Sequence, residues 1–557
     1  MKLDFSGKTI PEAVFTTCER FPNKVALMVN RGDGTFEEIT YSQLMDKVVR
    51  LSSFIQRSGF EAGEHIAILG HNSPQWAIAY LAIQTAGCIA VPLDSAQRPN
   101  ELRHILRHSD SSAIFLDKNF LNVLSDEVED YFPDLPRFEL QNIDIIIDTE
   151  TSPKPPRFDK SQDNVAVIIY TSGTTGAPKG VMLTHKNILS DIDFMFRVIT
   201  VTEKDTFLSV LPIHHSFEAT CGFLAPLTIG CSIVYARALR AKEILEDIKA
   251  GGVTIMLGVP LLFEKFYSGI KKGVRKSGFI GRSIFGGAMG ISKALKVFSK
   301  NSGKLIMKPF RNKAGMGGLN LLISGGAAIK PEVVKFFNNF GITCSQGYGL
   351  TETSPVVSVN PINKIKAESV GPPIPEVKVR IGNPNEEGIG EIQVKGPIVF
   401  AGYYKNEEAT KEAFTDDGWF RTGDLGYIDK DGYIYITGRL KNMILTSGGK
   451  NVYPEEIEEK INSHDVVLES LVIGRKTKGG EEPFAIVVPN FDYIDEKYGS
   501  MSESQVEALI RGVIEDVNKK IAPYKRIKGF AIQTEEFPKT STRKIKRYLY
   551  QAKEFRV

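Results

Sequence analysis

Between residues 41 and 116 the apolar residues fall alternately into helical and strand spacing, and this alternation restricts the fold more than any other feature of the chain. In YSQLMDKVVRLSSFIQ, Leu44, Val48, Leu51 and Ile55 recur every three or four residues, the period of an amphipathic helix. HIAILG then reads as a strand, PQWAIAYLAIQTAG as a helix, CIAVPL as a strand, NELRHILRH as a helix and SAIFLD as a strand. Such an alternation predicts a parallel sheet covered on both faces. The polar, proline-rich stretch TSPKPPRFDKSQD predicts a surface connection into one more strand, VAVIIY. After residue 365 the pattern changes to short strands and turns, VKVRIG, GEIQVKG and GYIDKDGYIYITG, which predict a small β-barrel. From Ile457 helix and strand alternate again on a smaller scale. At 557 residues the chain exceeds one hydrophobic core, so more than one domain is expected on length alone.

VAVIIY runs into YTSGTTGAPKG, Tyr170 to Gly180, with four Ser/Thr and three Gly in eleven residues. Successive N–H groups and the hydroxyls of Thr171, Ser172, Thr174 and Thr175 can ring an anion, with Lys179 as counter-charge. The sequence is not a P-loop. Pro178 stands where that motif has its second glycine, and Gly180 rather than Ser or Thr follows Lys179. The plain alternative is a flexible surface turn.

Six segments in order decide between these readings. YTSGTTGAPKGVMLTH resembles the phosphate-binding signature of the acyl-adenylate-forming (AMP-binding) superfamily. ISGGAAI resembles its adenine- and acyl-pocket segment, and SQGYGLTET the adenine-stacking and metal segment. WFRTGDLG resembles the ribose segment, ITGRLKNMILTSGGKNVYPEEIE the hinge and thiol-tunnel segment, and PKTSTRKIKR the catalytic-lysine segment. The resemblance spans residues 170 to 547, and it is nearest to long-chain fatty acyl-CoA synthetases. It implies an α/β fold: a large N-terminal domain (1–438) of parallel α/β sheets plus a small β-barrel, a hinge at 439–442, and a smaller, mobile α+β C-terminal domain (443–557).

The implied reaction has two steps. A carboxylate attacks the α-phosphate of ATP to give an acyl-adenylate and pyrophosphate, and the thiol of coenzyme A then displaces AMP. The first step gathers negative charge, so it calls for cations and oriented donors. Carried onto this chain, the resemblance gives ATP binding to Thr171, Ser172, Gly173, Thr174, Thr175, Gly176, Lys179, Gly326, Ala327, Gln346, Gly347, Tyr348, Gly349, Thr351, Asp424 and Arg439. Within that set, Tyr348 offers a face to adenine, Thr351 a hydroxyl to the α-phosphate, and Asp424 a carboxylate to the ribose. Gly325, Gly326 and Gly349 are expected to let the nucleotide approach the backbone. Glu352 is the expected Mg²⁺ ligand, with Thr171 the second candidate, since Mg²⁺ takes one or two protein oxygens and fills its other positions with phosphate and water. Lys544 is the adenylation lysine, Lys441 the pivot, and Gly448 and Gly449 leave room for the pantetheine arm of coenzyme A. Arg543 stands where glycine usually precedes the lysine, and Asn442 replaces a frequent acidic neighbour of the pivot. The form T-x-T-x-K-x-K-R, from Thr540 to Arg547, is similar to the long-chain variant.

LPIHHSFEATCGFLAPL resembles the acyl-pocket segment, in which a histidine or aromatic side chain gates the acid. His215 takes that position, beside His214. Peptide-synthetase domains carry an aspartate after the phenylalanine, of which Glu218 is an imperfect mimic. His104 and His108 share a helix face, and no third metal ligand is evident from the sequence. The leading reading is a fatty acid–CoA ligase. Ligases for medium-chain or aryl acids, a fatty acid–acyl-carrier-protein ligase, and a catalytically silent ATP-binding, membrane-associated protein remain as alternatives.

Charge distribution adds one expectation. The chain nets +3, yet residues 271–313 hold twelve basic residues and no acidic one, interleaved with Phe279, Ile280, Ile284, Phe285, Leu295, Phe298 and Phe310. Lys293, Lys296, Lys300 and Lys304 keep helical spacing, as a helix lying on an anionic membrane requires. A solvated basic insertion is the plain alternative, and no nucleic-acid module accompanies the charge. Cys18, Cys88, Cys221, Cys231 and Cys344 are scattered without a CxxC pair, which fits a reducing compartment. Without an apolar leader or a spanning segment, the expected location is cytoplasmic, with peripheral contact at the inner membrane surface through 271–313.

Overall fold

The computed structural model describes residues 3–121, 135–158, 161–171, 178–295, 302–446, 450–477, 480–539 and 545–551. The chain divides into two compact units: Met1–Lys378 with Val394–Phe420, and Val379–Gln393 with Arg421–Val557.

Two sheets organise the first unit. One has seven strands in the order Gly402–Tyr403, Lys179–Thr184, Val165–Thr171, Ile89–Leu93, His65–Leu69, Ser111–Leu116, Arg137–Glu139. Its members from Val165–Thr171 to Arg137–Glu139 run parallel, and the first two add on antiparallel. The other has eight strands, with a parallel centre and an antiparallel strand at each edge, Val356–Val359 and Phe36–Thr40. The expected alternation is present. Ile66 to Leu69 are all fully buried, because helices cover both faces of a parallel sheet and leave no solvent side. Thr40 starts the helix Tyr41–Arg57 through a capping box with Gln43, and Leu44, Val48, Leu51 and Ile55 are its fully buried stripe. The five cysteines are buried thiols.

The second unit holds a four-stranded sheet ordered Lys378–Gly382, Gly390–Lys395, Phe420–Ile428, Ile434–Arg439, in the stretch where a small barrel was expected. It also holds a three-stranded sheet, Val467–Thr477, Gly480–Pro489 and Gly529–Ile532. Helices Pro454–Asn462 and Glu503–Lys520 bury Ile457, Ile461, Ile510 and Val517 in one core with the strand residues Val472, Ala485 and Val487. The 439–442 turn lies inside this unit.

The basic segment departs from its expected form. Gly278–Leu295 and Ser302–Lys313 are separate helices, packed together through Phe285 and Phe310 with ring centroids 5.1 Å apart. Lys293 and Lys304 therefore sit on different helices, and Lys296 and Lys300 lie outside the described residues. Charge periodicity alone misread this stretch, because aromatic packing between two helices overrides it. Lys304 is half-buried, which lowers its pKa. Phe279, Ile280, Ile284 and Ile291, by contrast, are 77, 73, 60 and 54% exposed. No helix among the described residues is long and apolar enough to cross a membrane.

Candidate active site

In the first unit the expected site residues gather at the carboxyl ends of parallel strands, the edge at which open α/β sheets bind ligands. Thr171 ends one strand and Lys179 opens its antiparallel neighbour, and the two are register partners. Ser172, Gly173, Thr174, Thr175 and Gly176, which join them, lie outside the described residues. Above this mouth the Lys179 ammonium sits 5.0 Å from the ring centroid of Tyr403. The phenol of Tyr403 donates to Oε1 of Glu352 at 2.9 Å. Burial and then the Glu352 charge push the phenol's pKa up, so it remains a donor at any ordinary pH.

Glu352 is held from both sides. It lies in the short 3₁₀ turn Thr351–Thr353, and its carbonyl accepts from the N–H of Phe400 at 2.9 Å. The hydroxyl of Thr351 meets that of Ser216 at 3.3 Å, which ties this turn to the histidine segment. One carboxylate steered by a phenol, beside a cation and a hydroxyl-rich loop, is a donor set that fits Mg²⁺ carrying phosphate oxygens.

The segments expected to meet the nucleotide follow the same edge. Ser324 ends the strand Leu321–Ser324 and is the register partner of Gln346 in the parallel strand Thr343–Gly349. Both are buried, and Ser324 Oγ and Gln346 Oε1 lack hydrogen-bond partners among the described residues, a costly arrangement unless a ligand meets them. Gly326 (φ +82°) and Ala327 lie exposed in the turn that follows, and Gly347 and Tyr348 are half-buried. At Gly349 the reason for glycine lies in the chain itself, since an added Cβ would lie 1.7 Å from the Pro355 carbonyl oxygen. A Cβ at Gly325 would meet the Phe217 ring at 2.9 Å.

The acyl segment is anchored by Asn72, which the sequence did not single out. Its amide donates to Ser209 Oγ at 2.9 Å and to the Leu211 carbonyl at 2.6 Å, and its oxygen accepts from the Ile213 N–H at 3.0 Å. His214 and His215 follow, with ring centroids 4.2 Å apart; His214 is buried and His215 half-buried. Glu218 lies in the π-helix Phe217–Leu224 and is wholly buried. Burial pushes its pKa up to about 8, so it is mostly a neutral acid at pH 7.

In the second unit Asp424 and Arg439 are cross-strand partners, joined by an ion pair of 2.7 Å with Asp424 buried. Lys441 lies in the turn Leu440–Asn442, and the Asn442 amide donates to Glu455 at 2.7 Å. Gly448, Gly449 and Lys544 lie outside the described residues, but the flanks of Lys544 are fixed. Lys539 and Ile545 form a β-bridge, and Lys539 pairs with Glu469 at 2.8 Å and Glu536 at 2.7 Å. Arg547 pairs with the buried Glu458 and donates to the Val472 carbonyl at 3.2 Å. These two cations anchor the segment, which rules out a solvated tail for them.

Residues 14–404 match the AMP-binding enzyme family, and residues 456–544 match the AMP-binding enzyme C-terminal domain. The chain belongs to the AMP-binding enzyme family. A long-chain-fatty-acid–CoA ligase of Mycobacterium bovis is 30% identical over 79% of this chain and 76% of its own. A probable acyl-activating enzyme of the Arabidopsis thaliana chloroplast is 29% identical over 87% of this chain and 77% of its own. An Arabidopsis thaliana chloroplast ligase named for long-chain fatty acids and acyl-carrier protein is 28% identical over 90% and 79%. Among solved structures, ATP-bound MatB of Rhodopseudomonas palustris superposes with a TM-score of 0.79 at 25% identity, covering 98% of each chain. AMP-binding enzymes of this kind are acyl-adenylate-forming ligases that use ATP and couple an acid to a thiol.

Proposed function

We propose that this AMP-binding enzyme activates a long-chain fatty acid with ATP and transfers the acyl group to coenzyme A. The observation that carries the reading is the Lys179–Tyr403–Glu352 chain at the mouth of the hydroxyl-rich loop. It holds one cation and one oriented carboxylate where a triphosphate needs both.

The steps follow from charge. Thr171, Lys179 and the loop residues Ser172 to Gly176 bind the phosphates. Gln346 and Ser324 offer buried polar atoms to the base or its neighbours, Tyr348 a ring face, and Asp424 with Arg439 the ribose contacts. Glu352 and Thr171 would hold Mg²⁺, whose charge would offset that of the phosphates. Lys544 stabilises the charge that develops as the carboxylate oxygen bonds to the α-phosphorus and pyrophosphate leaves. The turn at Lys441 is the pivot between this step and thiolation, in which Gly448 and Gly449 admit the pantetheine arm.

A long apolar acid is favoured because Glu218 offers no charge to an α-ammonium, and because relatives at 28–30% identity are named for long-chain acids. The exposed apolar face of Gly278–Leu295, with Arg282 and Lys293 beside it, supports delivery from an anionic membrane surface. The carrier-protein relative keeps a protein thiol as the second reading of the acceptor. Pyrophosphate release measured over acids of graded length, with coenzyme A, with acyl-carrier protein and with neither, tests the proposal. Highest turnover with long chains and coenzyme A is expected. A preference for aryl or short acids overturns the substrate assignment.

A further inference from the structure

One aspartate and two histidines converge at the expected acyl segment and have no part in the scheme above as metal ligands. One ligand atom each from Asp94, His214 and His215 lies within 4.8 Å of the other two. Asp94 directly follows the strand Ile89–Leu93, and the histidines lie in the turn that follows Thr206–Ser209.

One buried imidazole nitrogen of the arrangement lacks a hydrogen bond. His214 is only 4% exposed, yet its Nε2 has no hydrogen-bond partner among the described residues. That atom points at Oδ1 of Asp94 from 3.3 Å, without hydrogen-bond alignment. The same separation is natural for two ligands of one ion. Zn–N and Zn–O bonds of about 2.0–2.1 Å place neighbouring tetrahedral ligands about 3.3 Å apart. The set is also built in advance. Asn72 fixes the backbone at Leu211 and Ile213, the His215 N–H donates to the Pro212 carbonyl at 3.1 Å, and the Ala96 N–H holds Oδ1 of Asp94 at 2.8 Å. Two imidazoles and a carboxylate suit a zinc-type ion and not Mg²⁺, which takes oxygen ligands and keeps its waters.

We propose that Asp94, His214 and His215 form a binding site for a divalent transition-metal ion of the zinc class, and that the bound ion competes with the carboxylic acid. Metal binding stands on the geometry of the three side chains. The competition rests on the reading of His215 as the gate of the acyl pocket, because an imidazole held by a metal cannot swing aside.

The test titrates Zn²⁺, and Co²⁺ as its coloured probe, into the full chain without ATP. One saturable equivalent is expected, with the intense visible bands of four-coordinate Co²⁺ and paramagnetically shifted N–H signals from two imidazoles. Asp94→Asn and His214→Gln are each expected to weaken binding by about 100-fold or more, at least what losing an outer-shell partner of a metal site costs. They should also abolish the rise in melting temperature that Zn²⁺ gives the parent. His104→Gln, on a separate histidine pair with rings 5.9 Å apart, is expected to bind as the parent does. Absence of saturable binding to the parent, absence of shifted imidazole signals, or unchanged affinity in both ligand variants overturns the site. Zn²⁺ inhibition of adenylate formation should then be relieved by dodecanoate. Binding at the three residues with no relief by the acid leaves the metal site standing and overturns the gate.

Discussion

Tyr403 donates its phenolic proton to Oε1 of Glu352 at 2.9 Å, across 51 residues of sequence, while its ring carries the Lys179 ammonium at 5.0 Å. A single aromatic side chain thus touches both charged groups, Glu352 and Lys179. Tyr403→Phe keeps the ring and removes the donor. A hydrogen bond to a charged group contributes about 1.5–3 kcal/mol, so adenylate formation should fall by roughly 10- to 150-fold. The loss should be partly recovered by raising Mg²⁺, read as pyrophosphate release against Mg²⁺ concentration. An unchanged Mg²⁺ dependence would remove Glu352 as the metal ligand.

Lys544→Ala is expected to slow adenylate formation by about 10²–10³ and to spare thiolation of a supplied acyl-adenylate, as the loss of one electrostatic donor to the first transition state should. Lys441→Pro should do the reverse, because proline removes a soft torsion and a donor at the pivot. A pyrophosphate burst followed by slow thioester formation is the expected trace. Equal damage to both half-reactions in either variant would sink its assignment.

Glu218 makes stability depend on pH. Its folded pKa of about 8 lies above the 4.5 of a solvated glutamate. Below the lower value the carboxyl is protonated in both states and its contribution is whole. As pH rises toward 8 the unfolded chain gives up the proton that the fold retains, so stability erodes across that interval. Glu218→Gln carries no such proton. Its advantage over the parent should grow from pH 5 to pH 8, by on the order of a few kcal/mol, and then level off. Asp191, also buried with a raised pKa, adds the same slope to both proteins and cancels in the difference. Parallel curves of melting temperature against pH would show that Glu218 is ionised in the fold.

Phe279, Ile280 and Ile284 are expected to enter the lipid interface. Replacing all three by serine should weaken sedimentation with anionic vesicles by roughly 100-fold, taking about 1 kcal/mol for each partly inserted side chain. Parent binding should also weaken as salt shortens the screening length. Activity on a soluble short-chain acid should stay at the parent level. If the triple variant sediments as the parent does, this face is not a lipid contact.

Much of the first unit was legible because its chemistry is local. Ile66 to Leu69 read as a strand since burial on both faces demands an unbroken apolar run, and Thr40 with Gln43 marks a helix start within four residues. Asn72, Tyr403 and Asp94 were not legible. Each acquires its role only when strands far apart in sequence lie side by side, as when Gly402–Tyr403 pairs with Lys179–Thr184. The evenly spaced lysines failed for the opposite reason. Spacing described one helix, whereas the fold sets Lys293 and Lys304 on two. Lys539 and Arg547 looked like a loose basic end, and only the facing carboxylates of Glu469 and Glu458 make them anchors.

The pairing of Thr171 with Lys179 also limits how this sequence can drift. With the two rims of the loop stitched into one antiparallel ladder, substitutions between them alter what the loop grips and leave its footing alone. An inserted or deleted residue is another matter. If the added length slipped into the ladder by one position, every side chain beyond it would change faces, and Lys179 would leave the ring of Tyr403. The footing depends on the register of the ladder, and that register is what a change in length puts at risk.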